Sequence, residues 1–139
     1  MPVRLLYALL ALAIFLVEVL IATRLVDLRF IRGSVGDFLV TGLLYFLLQA
    51  ARPSPPKALA AGVFVFACLV ELAQYFHLAD RLGFARGSVW HILLGNVFSW
   101  QDILMYGLGC LAAYGLDVKW LYTKWLARAE AGSKDLGRA

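Results

Sequence analysis

Four long apolar stretches dominate the chain. They cover residues 5–23, 35–51, 58–76 and 98–116, and the connections between them hold most of the charged residues. A hydrocarbon core about 30 Å thick is crossed by roughly 20 helical residues. We therefore predict an all-α membrane protein with four transmembrane helices in a domain over residues 1–116.

A different pattern follows the fourth stretch. Apolar residues recur at the 3.6-residue period of a helix, and lysines and an arginine lie off that stripe. The apolar positions are Val118, Leu121, Tyr122, Trp125, Leu126 and Ala129. Over residues 117–139 we predict a cationic amphipathic helix on the inner leaflet, with a frayed tail after Glu130. The alternative is a continuation of the fourth helix into water.

Composition excludes a soluble domain. Of the 139 residues 63% are hydrophobic and 16% are charged, whereas soluble domains have about 45–50% apolar and about 25% charged residues. The mean hydropathy is +0.80. The net charge of +4 comes from residues at the ends of the stretches, which suits anionic lipid headgroups. We expect membrane lipids as partners, another membrane protein or complex as a further candidate, and no nucleic acid.

The sequence predicts no cofactor and no metal. Cys68 and Cys110 lie inside apolar stretches and lack the spacing of redox or metal-ligand motifs. His77 and His91 are fourteen residues apart, without a cysteine between them. Ligands of a structural or catalytic zinc site are usually more closely spaced and more numerous.

Lysine and arginine are distributed unevenly between the two sides of the predicted bundle. The N-terminal segment, the second connection and the tail carry eight of them, and the first and third connections carry five. Cytoplasmic loops are enriched in these residues. The count predicts a multi-pass membrane protein with both termini in the cytoplasm.

The two halves of the transmembrane domain resemble each other in three places. Leu-Val-Glu occurs at 16–18 and 69–71, Arg-Gly-Ser-Val at 32–35 and 86–89, and the segment 37–43 matches 102–108. Each half holds two helices, so the halves have the same topology and a pseudo-two-fold axis along the membrane normal. We therefore predict two tandem two-helix repeats.

Such a repeat brings four carboxylates to a similar depth near the outer leaflet. Ionisable side chains within a span usually face the bundle and find partners. Gln74 lies on the same helix face as Glu71, and Tyr106 lies on the same face as Asp102. The arginines of the two repeated turns could pair with the acids or with lipid phosphates, or stay solvated. The predicted polar cluster is Glu18, Asp37, Glu71, Gln74, Asp102, Tyr106, Arg32 and Arg86, with Glu71 and Asp102 as candidate catalytic residues.

Structural roles are the alternative for each acid. A serine precedes both Asp37 and Asp102 by three residues, which is close to the spacing of a capping box. These aspartates could therefore serve only as helix caps. Glu18 and Glu71 lie inside their helices and cannot cap them, so their alternative is hydrogen bonding between helices.

Two segments resemble a known family. Val-Glu-Leu-Ala-Gln-Tyr-Phe-His-Leu at 70–78 and Leu-Gly-Asn-Val-Phe-Ser-Trp-Gln-Asp-Ile-Leu-Met-Tyr-Gly-Leu-Gly at 94–109 are similar to the bacterial four-span family called domain of unknown function 2809. That family itself resembles VanZ-like proteins, which are associated with glycopeptide resistance at the cell envelope. The resemblance covers about residues 5–116. The polar positions that it implies here are Glu71, Gln74 and Asp102.

Three classes of function follow. A non-catalytic inner-membrane protein, either an envelope accessory factor or a small subunit of a larger assembly, is favoured because the sequence has no nucleophile–base pair, metal set or nucleotide motif. One alternative is a lipid-directed enzyme at the outer leaflet, with Glu71 as general base and Arg81 or Arg86 binding a phosphate. The other is a small cation or proton transporter that uses Glu18, Glu71 and Tyr106.

Overall fold

A computed structural model describes residues 2–24, 29–94 and 97–138, without the side chains of residues 29–32 and 92–94. In these ranges the chain is helical and contains no strand, so the all-α fold that the sequence predicts is confirmed. The described ranges hold the helices α1 Val3–Arg24, α2 Arg29–Ala51, α3 Pro56–Tyr75, α4 Leu78–Arg81, α5 Val89–Leu94, α6 Trp100–Trp120 and α7 Tyr122–Gly137.

Three of the helices are long and apolar enough to cross a membrane. Within the described residues these segments are Val3–Arg24, Gly33–Ala51 and Pro56–Tyr75. They coincide with the first three apolar stretches of the sequence, which shows that hydropathy located them correctly. Helix α6 is as long, at 21 residues, but it contains Asp102 and Asp117 and is not among the three.

The long helices α1, α2, α3 and α6 run in alternating directions. Side-chain contacts join the start of α1 to the ends of α2 and α6, and other contacts join the end of α3 to the start of α6. Helices α2 and α6 pack against each other, with α1 on the far flank of α2 and α3 packed mainly on α6. The bundle therefore has two ends with different polar contacts.

Helices α2 and α6 approach each other closely at Gly109. A Cβ atom on this residue would lie 2.1 Å from Thr41 Oγ1 and 2.3 Å from the carbonyl oxygen of Phe38. Both separations are far below van der Waals contact, so only glycine fits at this position. Small residues allow helix backbones in a membrane to come together in this way.

Most of the large apolar side chains lie on the outside of the bundle. On α1, Phe15 is 50% exposed, and Leu16 and Leu20 are each 57% exposed. A continuous apolar surface of this kind is rare on soluble proteins. It fits a bundle whose surroundings are lipid chains.

The C-terminal helix is separated from α6 by a break at Leu121, which is buried. Helix α7 contacts α1 and α6 near its start, where Trp125 packs against the core, and from Leu126 to Arg138 its side chains are exposed. It continues to Gly137, so helical structure extends past Glu130, after which the sequence predicted fraying.

The connection between α3 and α6 contains two short helices that are linked by a side-chain pair. A ring nitrogen of His91 lies 2.9 Å from a carboxylate oxygen of Asp80. This hydrogen bond is the main reason why the pKa of Asp80 lies below its usual value. The pair joins α4 to α5 and helps to fix the connection over the end of the bundle.

Candidate functional site

Glu71, near the end of α3, is completely buried. Its Oε1 accepts a hydrogen bond of 3.1 Å from the hydroxyl of Tyr106 on α6. Its Oε2 accepts one of 3.2 Å from the backbone N–H of Ser99, the residue that precedes α6. Both carboxylate oxygens are thus bonded within the protein, and Glu71 ties α3 to the start of α6.

The start of α6 is stabilised from two directions. Ser99 is the N-cap residue, and its hydroxyl oxygen accepts a hydrogen bond of 3.3 Å from the backbone N–H of Asp102. From α3, the Glu71 carboxyl group accepts a hydrogen bond from the backbone N–H of this same N-cap residue. Although Glu71 cannot cap its own helix, it contributes to the cap of another.

The corresponding spacing at Ser34 has a different role. Because α2 begins at Arg29, Ser34 lies inside the helix and cannot be its N-cap, so the capping alternative does not apply to Asp37. Its hydroxyl oxygen instead accepts a hydrogen bond of 2.6 Å from Nε2 of Gln101. This bond connects the early part of α2 to the start of α6.

Three acids from three helices meet at this end of the bundle. Asp37 of α2 interacts with the carboxyl group of Asp102 and the hydroxyl of Tyr106, both on α6, and Glu71 of α3 acts on it electrostatically. We call Asp37, Glu71, Asp102 and Tyr106 the carboxylate cluster. The structure therefore brings together four of the residues that the sequence singled out.

A groove of about 800 Å³ opens between α2 and α3 beside the carboxylate cluster. Its walls are mainly apolar, its polar residues come from the cluster and its neighbours, and the connection between α3 and α6 covers one end. Its lining residues are Gly36, Asp37, Val40, Thr41, Leu44, Phe66, Ala67, Val70, Gln74, Leu78, Leu82, Phe84, Trp90 and Tyr106. Gln74 thus belongs to the groove, together with Asp37 and Tyr106.

The other predicted members of the polar cluster lie elsewhere. Glu18 is on α1, at the far flank of α2, and its Oε1 is buried without a hydrogen-bond partner among the described residues. Arg86 is exposed and acts electrostatically on Asp80. The side chain of Arg32 lies outside the described residues. The separation of Glu18 follows from the helix order, because α1 and α3 do not pack together.

A second buried carboxylate, absent from the sequence prediction, lies at the opposite end of the bundle. Asp117 of α6 is fully buried, and its Oδ1 accepts a hydrogen bond of 2.6 Å from the hydroxyl of Tyr7 on α1. Its Oδ2 accepts hydrogen bonds from the hydroxyl of Tyr45 and, at 2.8 Å, from Nε2 of Gln49, both on α2. We call these four residues the Asp117 hub.

The Asp117 hub extends into the connection after α2. The amide oxygen of Gln49 accepts a hydrogen bond of 2.7 Å from the backbone N–H of Ser54, and its Nε2 also donates to the Ser54 carbonyl at 3.0 Å. Nearby, the Arg4 guanidinium donates to the carbonyl oxygens of Ala50 and Ala51, which end α2. These bonds satisfy carbonyls that a helix terminus otherwise leaves open.

The two ends of the bundle therefore offer different chemistry. The Asp117 hub is closed, because every oxygen of its carboxylate is bonded to a neighbouring side chain. The carboxylate cluster is closed at Glu71 but presents Asp37 and Tyr106 to the groove. Among the described residues no group of three or more His, Cys, Asp or Glu side chains is arranged to hold a metal ion.

A comparison with protein families places these features in context. A family model described as "Protein of unknown function (DUF2809)" matches residues 26–110, more than half of the chain. The matched segment contains the whole carboxylate cluster and the groove, whereas Glu18 and Asp117 lie outside it. No curated protein and no solved structure matches the chain.

Proposed function

The chain belongs to the DUF2809 family of proteins of unknown function, and we propose that it is a non-catalytic protein of the bacterial inner membrane. In this proposal it is an envelope accessory factor or a small subunit of a larger membrane assembly. Its buried carboxylates hold the helices together, and the groove provides a surface for a partner within the membrane. The resemblance to VanZ-like proteins stays a prediction that is compatible with a role at the envelope.

The observation that carries this proposal is the bonding of Glu71. A general base must reach the proton that it abstracts, directly or through one water. Glu71 is completely buried, and both of its oxygens already accept hydrogen bonds from Ser99 and Tyr106. This bonding favours a structural role over catalysis or proton transfer.

We further propose that α6 is a fourth span and that both termini face the cytoplasm. Helix α6 runs antiparallel to α3 and packs between α2 and α3, and its two aspartates are engaged in the carboxylate cluster and the Asp117 hub. With this orientation the carboxylate cluster faces the outer leaflet, the Asp117 hub faces the cytoplasm, and α7 lies on the inner leaflet.

The helix order also supports the proposed tandem repeats. In each half the second helix, α2 or α6, lies in the centre of the bundle, and the first helix, α1 or α3, packs on it from outside. A two-fold rotation about an axis between α2 and α6 would exchange the two pairs. Asp37 and Asp102, which the repeat makes equivalent, interact near that axis.

A lipid-directed enzyme is the second candidate, and the groove is the observation that favours it. Asp37 and Tyr106 line this space, and the connection that covers it carries Arg81 and Arg86. In that mechanism Asp37, rather than Glu71, would have to act as the base, because Glu71 is enclosed.

Substitution of Glu71 separates these functions. In Glu71→Gln the amide oxygen can accept the Ser99 N–H bond while the amide nitrogen donates to the Tyr106 hydroxyl, so both contacts can persist. We expect Glu71→Gln to keep the parent's yield and thermal stability and to complement the envelope phenotype of a strain that lacks the gene. Glu71→Ala should lose about 1–3 kcal/mol of stability, because it leaves buried donors unsatisfied.

Glu130→Gln on the exposed part of α7 is the matched control and should behave like the parent. A Glu71→Gln protein that folds with normal yield but fails to complement would contradict the structural role. It would indicate that the carboxyl group takes part in proton transfer.

A further inference from the structure

We propose that the groove between α2 and α3 binds a membrane lipid whose headgroup carries an amine. The ammonium group would lie against Asp37, and one hydrocarbon chain would follow the apolar walls toward the centre of the bundle. This inference rests on the proposed insertion of the bundle in a membrane. It does not depend on the role of Glu71.

The charge of the groove selects the headgroup. Asp37 is an acid on its wall, with Asp102 and Glu71 close behind it, and no lysine, arginine or histidine is among the described lining residues. An ammonium group placed beside these neighbouring carboxyl groups favours their charged form and pairs with it. A headgroup that offers only phosphate and hydroxyl groups would therefore be repelled, whereas an ammonium would be attracted.

The shape of the groove suits a hydrocarbon chain. Its volume of about 800 Å³ lies within the range of roughly 300–1,000 Å³ that is typical of ligand pockets. Val40, Leu44, Phe66 and Val70 supply apolar surface along α2 and α3. Asp37 and Gln74 lie toward the end of the groove that the connection covers, and Leu44 and Phe66 lie toward the middle of the bundle. A headgroup and a hydrocarbon chain would therefore meet different surroundings.

The other flank of the bundle provides an internal comparison. The space between α1 and α6, which Ile14, Gly42 and Leu116 help to line, has a volume of only about 140 Å³ and contains no acid in its lining. The closer packing of α1 on α2 fills this side. The large, acid-lined groove is therefore a feature of the α2–α3 side and not a general consequence of the helix arrangement.

Aromatic residues cover the end of the groove where a headgroup would lie. Phe84 and Trp90 of the α3–α6 connection stack with ring centroids 6.4 Å apart, and both line the groove. Tryptophan is enriched at the level of lipid headgroups. A lipid bound here would have its ammonium near Asp37 and its glycerol region below these rings.

Native mass spectrometry of the purified full-length protein tests the proposal. The detergent-solubilised protein is titrated with phosphatidylethanolamine or phosphatidylglycerol of identical acyl chains, which share the phosphate and differ in the amine. We expect phosphatidylethanolamine to bind about fivefold more tightly or better, and Asp37→Asn to bring the ratio close to one. Asp135→Asn, which removes a charge from exposed α7, should leave the ratio unchanged.

A second variant tests whether the hydrocarbon chain of the lipid lies in the groove. Val40 is 44% exposed on the groove wall, so Val40→Trp should fold normally and reduce the binding of both lipids by obstructing the groove. Equal affinity of the parent for the two lipids, or an unchanged ratio in a folded Asp37→Asn protein, would overturn the proposal. Either result would leave the Glu71 experiment and its conclusion untouched.

Discussion

Replacing Asp117 by alanine is expected to lower the free energy of unfolding by about 3 kcal/mol or more and to cause loss of most of the protein during detergent extraction. The substitution leaves the hydroxyls of Tyr7 and Tyr45 without their acceptor, and Gln49 loses one of the two acceptors of its Nε2. Each buried polar group that loses its partner costs about 1–3 kcal/mol, and single hydrogen bonds in membrane proteins lie at the lower end of this range. Thermal unfolding followed by size-exclusion chromatography measures the effect.

Two variants make this experiment specific. Asp117→Asn retains one acceptor oxygen, which can keep the bonds from Tyr45 and Gln49. It should be intermediate, because the amide nitrogen at the other position cannot accept the bond from Tyr7. Asp135→Ala, on the exposed part of α7, should match the parent. An Asp117→Ala protein as stable as the parent would mean that the Asp117 hub does not hold α1, α2 and α6 together.

Gly109→Ala is expected to be nearly as damaging, for a steric reason. The new methyl group would collide with Thr41 Oγ1 and with the Phe38 carbonyl oxygen. The carbonyl is part of the α2 backbone and cannot rotate away, so α2 and α6 must separate. We expect a loss of about 2–3 kcal/mol, at the upper end of the usual cost of overpacking.

The same helix offers the control for this substitution. A Cβ atom on Gly115 would meet nothing within 4 Å, so Gly115→Ala should be neutral or stabilise α6 by up to about 1 kcal/mol. The difference in melting temperature between the two alanine variants isolates the helix contact from helix propensity. Equal melting temperatures would show that α2 and α6 do not touch at Gly109.

The sequence predicted the helices well because hydropathy and length are properties of each segment taken alone. Of the predicted polar cluster, the structure brings Asp37, Glu71, Asp102 and Tyr106 together and leaves Glu18 apart. The internal matches placed the acids at a common level, but they do not say which helices are neighbours. The Ser99 contact of Glu71 could not be predicted, because its donor is a backbone N–H. Side-chain patterns carry no information about such a partner.

The Asp117 hub escaped prediction for a related reason. Asp117 falls just beyond the predicted fourth stretch, where a carboxylate is usually solvated, and its partners come from two other helices. Tyr45 and Gln49 are four residues apart on one face of α2, and this polar face indicates in the sequence that α2 has a polar partner. Assigning it to Asp117 requires the relative rotation of α2 and α6, which one sequence does not contain.

The charged residues of α6 also explain why it is not among the three helices that are apolar enough to cross a membrane. A hydropathy average counts Asp102 and Asp117 fully against the helix, although both interact with residues inside the bundle. Ionisable residues that face a bundle interior are tolerated in spans when they find partners there. We therefore expect α6 to cross the membrane in spite of its lower hydropathy.

Labelling of single cysteines in intact cells shows whether α6 crosses the membrane. In a background with Cys68→Ala and Cys110→Ala, one cysteine is placed at Ala85 before α6 and another at Ser133 after it, both exposed. We expect a membrane-impermeant maleimide to label Ala85→Cys in intact cells and Ser133→Cys only after permeabilisation. Labelling of both positions, or of neither, in intact cells would place them on the same side and contradict a fourth span.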